Sequence, residues 1–188
     1  GEDEGSASAK PISVGQKKAP AELTVYEDFR CPACGQFENV FRDTLHSLEE
    51  DGKLKVNYHI VSIIDGAMGG TGSKNAANAA VCARDEGKFQ EYHDVLFRHQ
   101  PEEQDDAFAN KKTLIGLAKK VDGLDGAAFR SCVNDGKHDK WVERSTSAFQ
   151  NSGHQGTPTV LLDGKNLYGD QSDPLTPQKL KKKIEAKS

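Results

Sequence analysis

The chain has 188 residues and a formal charge of −4, with 25 lysines and arginines set against 29 aspartates and glutamates. That length suits one domain with a core, or a small fold carrying an insertion, and the acidic balance argues against a nucleic-acid partner. Val, Ile, Leu and Phe make up only about a fifth of the chain, but the small net charge argues against extended disorder, and no run of 18 apolar residues offers a membrane span.

Residues 1–10, GEDEGSASAK, are small and acidic. They read as a flexible lead-in to a domain over 11–188, with upstream residues (a secretory signal or a membrane anchor) expected to have been removed. Residues 11–15 form a short predicted strand. Residues 22–29, ELTVYEDF, form a stronger one, rich in β-branched and aromatic residues. From Pro32 to about Glu50, Phe37, Val40, Phe41, Leu45 and Leu48 recur at spacings of three and four, which predicts an amphipathic helix stopped by Asp51-Gly52. Residues 54–63 alternate and then run apolar, predicting a third strand.

The next stretch changes character. A Gly-rich loop over 66–72 precedes predicted helices at 73–86, 89–99, 111–121, 126–134 and 138–152, broken at Gly87, Pro101, Gly123 and Gly136. Residues 159–162 are again a strand, Asp163-Gly164 a hairpin turn, 166–168 its partner and 176–186 a final helix. The order β-β-α-β, helices, β-β-α predicts one α/β domain interrupted by an all-helical insertion over about 70–152. The run Lys181–Lys183 reads as the solvated face of the last helix. Trp141 reads as core, His59 as packed or half-exposed, and His93 and His99 as decoration on helix surfaces.

Cys31-Pro32-Ala33-Cys34 falls where a strand ends and a helix begins. Cysteines at i and i+3 of a first helical turn share a face with Cα atoms about 5–6 Å apart, within the range a disulfide requires. Pro32 suits a first turn, where its missing N–H would have no partner, and the helix N-terminus favours thiolate over thiol. Cys31, at the open end, is then the nucleophile and Cys34 the resolving thiol. A zinc site is disfavoured, because Cys82 and Cys132 are isolated and no closely spaced histidine pair exists. A purely structural Cys31–Cys34 disulfide would close too small a loop to stabilise much. A second motif, Gly156-Thr157-Pro158-Thr159, opens a strand with proline. A cis Thr157–Pro158 bond there would set a peptide-binding backbone beside the cysteines.

With these motifs in hand, YEDFRCPACGQFE (26–38), AANAAVCARDEGKFQEYHDVLF (76–97) and GTPTVLLDG (156–164) resemble thioredoxin-fold proteins of the DsbA-like class, particularly the actinobacterial members. The resemblance covers roughly residues 11–186. It implies a thioredoxin fold with a helical insertion and a secreted thiol–disulfide oxidoreductase. Cys31 is then the nucleophile, Cys34 the resolving thiol and Pro158 a cis-proline, with Thr157 beside the active disulfide. Reduced or unfolded secreted proteins are the expected substrates, and a quinone-linked membrane protein the expected reoxidase. No metal or organic cofactor is indicated.

Two departures from that pattern matter. Val25 stands six residues before Cys31, where well-known thioredoxin-fold enzymes place a buried acid. Glu27 shares its strand face by alternation and is the candidate proton acceptor for Cys34, with a salt-bridged or solvated strand end as the alternative. Ala33 stands where strongly oxidising relatives carry histidine, which removes a cation that would stabilise a thiolate. Cys82 and Cys132 read as a structural disulfide within the insertion, with two buried free thiols as the rival. Three functions share these residues: an extracytoplasmic dithiol oxidase, a reductase or isomerase, and a peptide-binding module without oxidase activity. His154 is a lesser candidate for the groove.

Overall fold

The computed structural model describes residues 9–188, so most of the lead-in expected over 1–10 lies outside the described residues. Five strands, β1 (Ile12–Gly15), β2 (Ala21–Glu27), β3 (Leu54–Ile60), β4 (Thr159–Leu162) and β5 (Lys165–Asn166), form one sheet in the order β1-β3-β2-β4-β5. β2 and β3 run parallel, joined by helix α1 (Pro32–Glu50), while the β1–β3, β2–β4 and β4–β5 pairs are antiparallel. A last helix, α8 (Pro177–Glu185), also packs on α1. This is the predicted thioredoxin fold.

Between β3 and β4 the chain is all helical: α2 (Ile64–Met68), α3 (Gly72–Asp85), α4 (Phe89–Arg98), α5 (Lys111–Leu117), α6 (Ala127–Asp135) and α7 (Asp139–Gln150), with 3-10 turns at Ala107–Ala109 and Ala118–Lys120. The modest supply of large apolar residues is met by α3. Its Ala76, Ala77, Ala79, Ala80, Val81, Cys82 and Ala83 are all fully buried, so α4, α6 and α7 all pack against a helix of small side chains. Close approach keeps packing dense where large side chains are few. Trp141 of α7 is buried and donates its indole N–H to the Lys10 carbonyl at 3.0 Å.

The alternation of β2 directs Ala21, Leu23, Val25 and Glu27 to one buried face. Glu27 is therefore buried at the end of the strand, four residues before Cys31. The segment between them is clamped to the insertion. Asp28 is fully buried, and its carboxylate accepts from the N–H groups of Ile63 and Ile64 at 2.9 Å each and from the Ser73 hydroxyl at 2.7 Å. Arg30, also buried, reaches Asp65 at 2.7 Å and the carbonyls of Gly69 and Glu103 at 2.8 and 3.1 Å. Such charge-assisted bonds outlast the desolvation of their partners only when nearly all are made.

The clamp explains where the chain departs from its predicted elements. β3 stops at Ile60, not 63, because Asp28 takes the N–H groups that would continue the ladder, and α2, not predicted from the sequence, starts at Ile64 and runs into the predicted Gly-rich loop. The helix predicted over 111–121 ends at Leu117 and tightens into a 3-10 turn. β5 covers only Lys165–Asn166, because the Tyr168 N–H turns back to the Asn166 side chain. Asp163 and Gly164, both at positive φ, make the hairpin turn.

Cys82 of α3 and Cys132 of α6 are joined by a disulfide, with Cα atoms 5.9 Å apart and 50 positions of chain between them. Closing a loop of that size stabilises a fold by about 4 kcal/mol. Replacing both cysteines by alanine is expected to lower the melting temperature of the chain by roughly 10 °C, read by calorimetry. An unchanged melting temperature would show that the insertion holds without the bridge.

Candidate active site

Cys31 is the N-cap of α1, with extended backbone (φ −78°, ψ 117°), and Pro32 occupies the first turn. The two cysteines are free thiols. Cys34 is fully buried and Cys31 retains 6% exposure, so one sulfur faces outward and the other inward. Gln100 holds this turn from the insertion side, its amide donating to the carbonyls of Phe29 and Cys31 at 2.9 and 2.8 Å. Gly35 makes room for that amide, since a Cβ there would run into the Gln100 side chain.

The strand pairing carries the second motif to the cysteines. Thr159 of β4 lies opposite Tyr26 of β2, so the residues just before β4 pass the end of β2 where Cys31 begins α1. The Thr157–Pro158 bond is cis. The Cys31 Sγ lies 3.5 Å from the Thr157 carbonyl oxygen. From Pro158 an open groove of about 750 Å³ runs along His154, Gly156, Tyr168, Asp173 and Lys183. Tyr168 closes its floor by meeting Phe37 edge-on at 5.2 Å, and His154 packs on Tyr26 at 5.0 Å.

The two thiols have opposite electrostatics. The Cys34 S–H hydrogen bond pushes the Cys31 thiol down to about 6, aided by the Thr157 hydroxyl and the Cys34 N–H and opposed by burial. Burial holds Cys34 well above the ordinary thiol range, reinforced by its bond to Cys31 and by the charges of Cys31 and Glu27. The missing cation at Ala33 is thus offset by hydrogen bonds to sulfur.

Glu27 is fully buried, and burial pushes its carboxyl up to about 8. A hydrogen bond with Glu38 pulls the other way, while the charges of Asp94 and Cys31 push further upward. Its Oε1 lies 2.8 Å from Nε2 of His93. Of the alternatives for Glu27, the solvated strand end does not describe this position, while the contact with His93 matches the salt-bridged one. His93 requires a correction: it does not decorate a helix surface but is fully buried, because it faces the core between Phe89 and Phe97 on α4. A signal for this was present, since His93 is four residues from each of those phenylalanines. Glu38, one turn after Cys34 on α1, is a second buried acid that sequence reasoning missed.

Glu27, Glu38 and His93 bring ligand atoms within 4.8 Å of one another. Burial keeps both carboxyls protonated well above the usual carboxylate range, and they hydrogen-bond to each other, which is the behaviour of a neutral acid pair. In the other His- and Cys-containing cluster, Cys82, Cys132 and His138, the sulfurs are already spent on the disulfide.

The arrangement predicts selective alkylation of the dithiol. Carbamidomethylation of Cys31 by iodoacetamide should rise through a midpoint near pH 6, with Cys34 unmodified over the same range, read by peptide mass. A midpoint near the ordinary thiol value of about 8.5 would contradict the assigned asymmetry.

Comparison with known proteins agrees with the fold. A family model described as thioredoxin matches residues 7–186. The reduced form of the disulfide bond oxidoreductase DsbG of Mycobacterium tuberculosis is 32% identical, with a TM-score of 0.80 over 94% of this chain and 86% of that one. Reduced DsbA of the same organism is 30% identical, with a TM-score of 0.80 over 95% and 92%. The Na(+)/H(+) antiporter NhaA 1 of Salinispora arenicola is 30% identical over 155 residues, 82% of this chain. The chain spans only 22% of that relative's length. The chain belongs to the thioredoxin family and, within it, to the DsbA-like thiol–disulfide oxidoreductases of the actinobacterial type.

Proposed function

We propose that this chain is an extracytoplasmic dithiol oxidase that introduces disulfides into reduced secreted proteins through Cys31 and Cys34. The observation that carries this reading is the split between the two sulfurs. A stabilised Cys31 thiolate favours the reduced enzyme, so the Cys31–Cys34 disulfide gives up its oxidising equivalents readily. Lowering one thiol to about 6 raises the potential at pH 7 by about 30 mV over an unperturbed thiol.

In the first step a substrate thiolate attacks Cys31 Sγ. The Cys31–Cys34 bond breaks, a mixed disulfide forms on Cys31, and the Cys34 sulfur departs with the electron pair and takes a proton from Glu27. In the second, another substrate thiolate attacks the substrate sulfur of the mixed disulfide. A substrate disulfide forms, and Cys31 leaves as a thiolate that needs no proton. The low thiol pKa makes it the better leaving group. Thr157 and Pro158 line the approach and would hold the substrate backbone as an added strand, with broad side-chain tolerance in the open groove. A quinone-linked membrane protein would then take the two electrons from the dithiol. The Cys82–Cys132 bridge supports an oxidising compartment, where such bonds persist.

Oxidation of a reduced test protein by the disulfide form, with accumulation of the Cys31/Cys34 dithiol, is the expected result. A potential near the thioredoxin value of about −270 mV would favour the reductase reading, and no oxidation at all the peptide-binding one.

Glu27→Gln separates a proton-transfer role from a structural one. It should slow exchange by about ten-fold or more near pH 7. Glu27 has a folded pKa raised above its unfolded one, so its contribution to stability is full below about pH 4.5 and is lost as pH rises to about 8. The variant should therefore match the parent in stability at acid pH and exceed it near pH 8, by on the order of 4 kcal/mol. Unchanged exchange rates and pH profile would remove Glu27 from the reaction.

A further inference from the structure

Cys34 must gain a proton each time the disulfide opens and lose one each time it closes, yet its sulfur is fully buried. During the mixed disulfide the outward side of Cys31 carries substrate. Glu27 is equally enclosed, and its supply has to come from somewhere other than the groove.

A continuous line of polar contacts leads away from it. His93 Nε2 lies 2.8 Å from Glu27 Oε1, and His93 Nδ1 lies 3.0 Å from Asp94 Oδ1. Asp94 Oδ2 lies 2.9 Å from Nε2 of His46. The His93 ring is packed by Phe29, Tyr58, Phe89 and Phe97, so its two nitrogens provide its polar contacts. His46 has a third of its side chain exposed and opens into a cleft of about 490 Å³ lined by Lys88, Glu91, Asp94, Arg98 and Asp122. It stands twelve residues after Cys34 on α1, about 18 Å along the helix axis. The cleft shares no lining residue with the groove beside Pro158.

We propose that His93, Asp94 and His46 form, with Glu27, a proton path that connects Cys34 to solvent at this second opening. The proposal rests on thiol–disulfide exchange at Cys31–Cys34 and adds how that exchange is supplied with protons while the groove is occupied. When the disulfide opens, Cys34 takes a proton from Glu27 and Glu27 takes one from His93 Nε2. Asp94, ionised at rest, accepts a proton on one oxygen from His46 Nε2 and, once its carboxyl has turned, passes that same proton to His93 Nδ1, and His46 recovers its proton from water. Closing the disulfide runs every transfer backwards. One proton enters and one leaves per cycle, each histidine returns to its starting tautomer without a ring flip, and the electrons stay with the sulfurs.

The groups facing the path set its charge. Burial opposes ionisation of Asp94, but the bonds from His46 and His93 outweigh it, and Arg42 lies 3.9 Å away. Glu38 and Glu49 of α1 face the same interior, as does Tyr58 of β3, with Glu49 accepting from Gln90 of α4. Glu38 shares the Glu27 hydrogen bond. His93, Asp94 and His46 are positioning and relay residues, with no contact to substrate.

The test follows reduction of the Cys31–Cys34 disulfide in the full chain by reduced glutathione, with acid quenching and mass detection, from pH 6 to 8. His46→Gln keeps a donor to Asp94 but relays no proton, so exchange should slow about ten-fold while the melting temperature holds. His46→Ala should slow similarly and recover to within about two-fold of the parent on adding imidazole, which the vacated cleft admits. His99→Gln, an exposed histidine at the end of α4, should exchange like the parent. A His46→Gln rate within about two-fold of the parent at every pH would overturn the path, as would a His46→Ala loss that imidazole leaves unchanged. A parent chain that does not exchange with glutathione would overturn the exchange reading itself, and the path with it.

Discussion

Two sulfurs on one helical turn are placed in opposite surroundings, and the rest of the structure depends on that difference. Cys31 caps α1, where hydrogen bonds to its sulfur favour the anion. Cys34 sits one turn deeper, where burial and a nearby acid favour the thiol. Neither condition is local to the four-residue motif. The first needs the Thr157 side chain brought alongside by the β2–β4 pairing, and the second needs Glu27 at the buried end of β2. A central strand flanked by β3 and β4 can meet both demands at once.

The helical insertion works on the same constraint. Through Asp28 and Arg30 it grips the two sides of Phe29, so the turn into Cys31 is set by bonds to residues 35 to 73 positions away. Through α4 it supplies His93 and Asp94, which carry the polar contacts of Glu27 outward. The disulfide between α3 and α6 closes the insertion around a helix of small residues, so it can be rigid with few large apolar side chains. Holding buried acids and histidines together is expensive unless all are bonded, and a rigid insertion keeps those bonds made.

Much of this was legible in the sequence because it depends on short-range rules. The Cys31–Cys34 spacing, Pro32 in the first turn, the Asp163-Gly164 hairpin and the strand order each follow from residues within a few positions of one another. The face of Glu27 followed from strand alternation alone. What stayed hidden depends on long-range partners. Nothing near Asp28 announces that it will take the N–H groups of Ile63 and Ile64, so β3 was run too far and α2 was missed. Buried His93 was assigned to the surface because histidine is usually half-exposed, although its spacing from Phe89 and Phe97 placed it on the inner face. Glu38 was passed over for the same reason, as an acid on a helix otherwise well supplied with apolar residues.

The asymmetry of the two sulfurs is tested most directly by the pH dependence of the Cys31–Cys34 reduction potential, measured by equilibration with a glutathione or dithiothreitol couple. If Cys31 ionises near pH 6 and Cys34 stays protonated, reduction takes up two protons below that pH and one above it. The potential should then fall by about 59 mV per pH unit below the break and about 30 mV per unit from there to about pH 8. A single slope of about 59 mV per unit up to pH 8 would mean that both sulfurs behave as ordinary thiols, and would contradict the account.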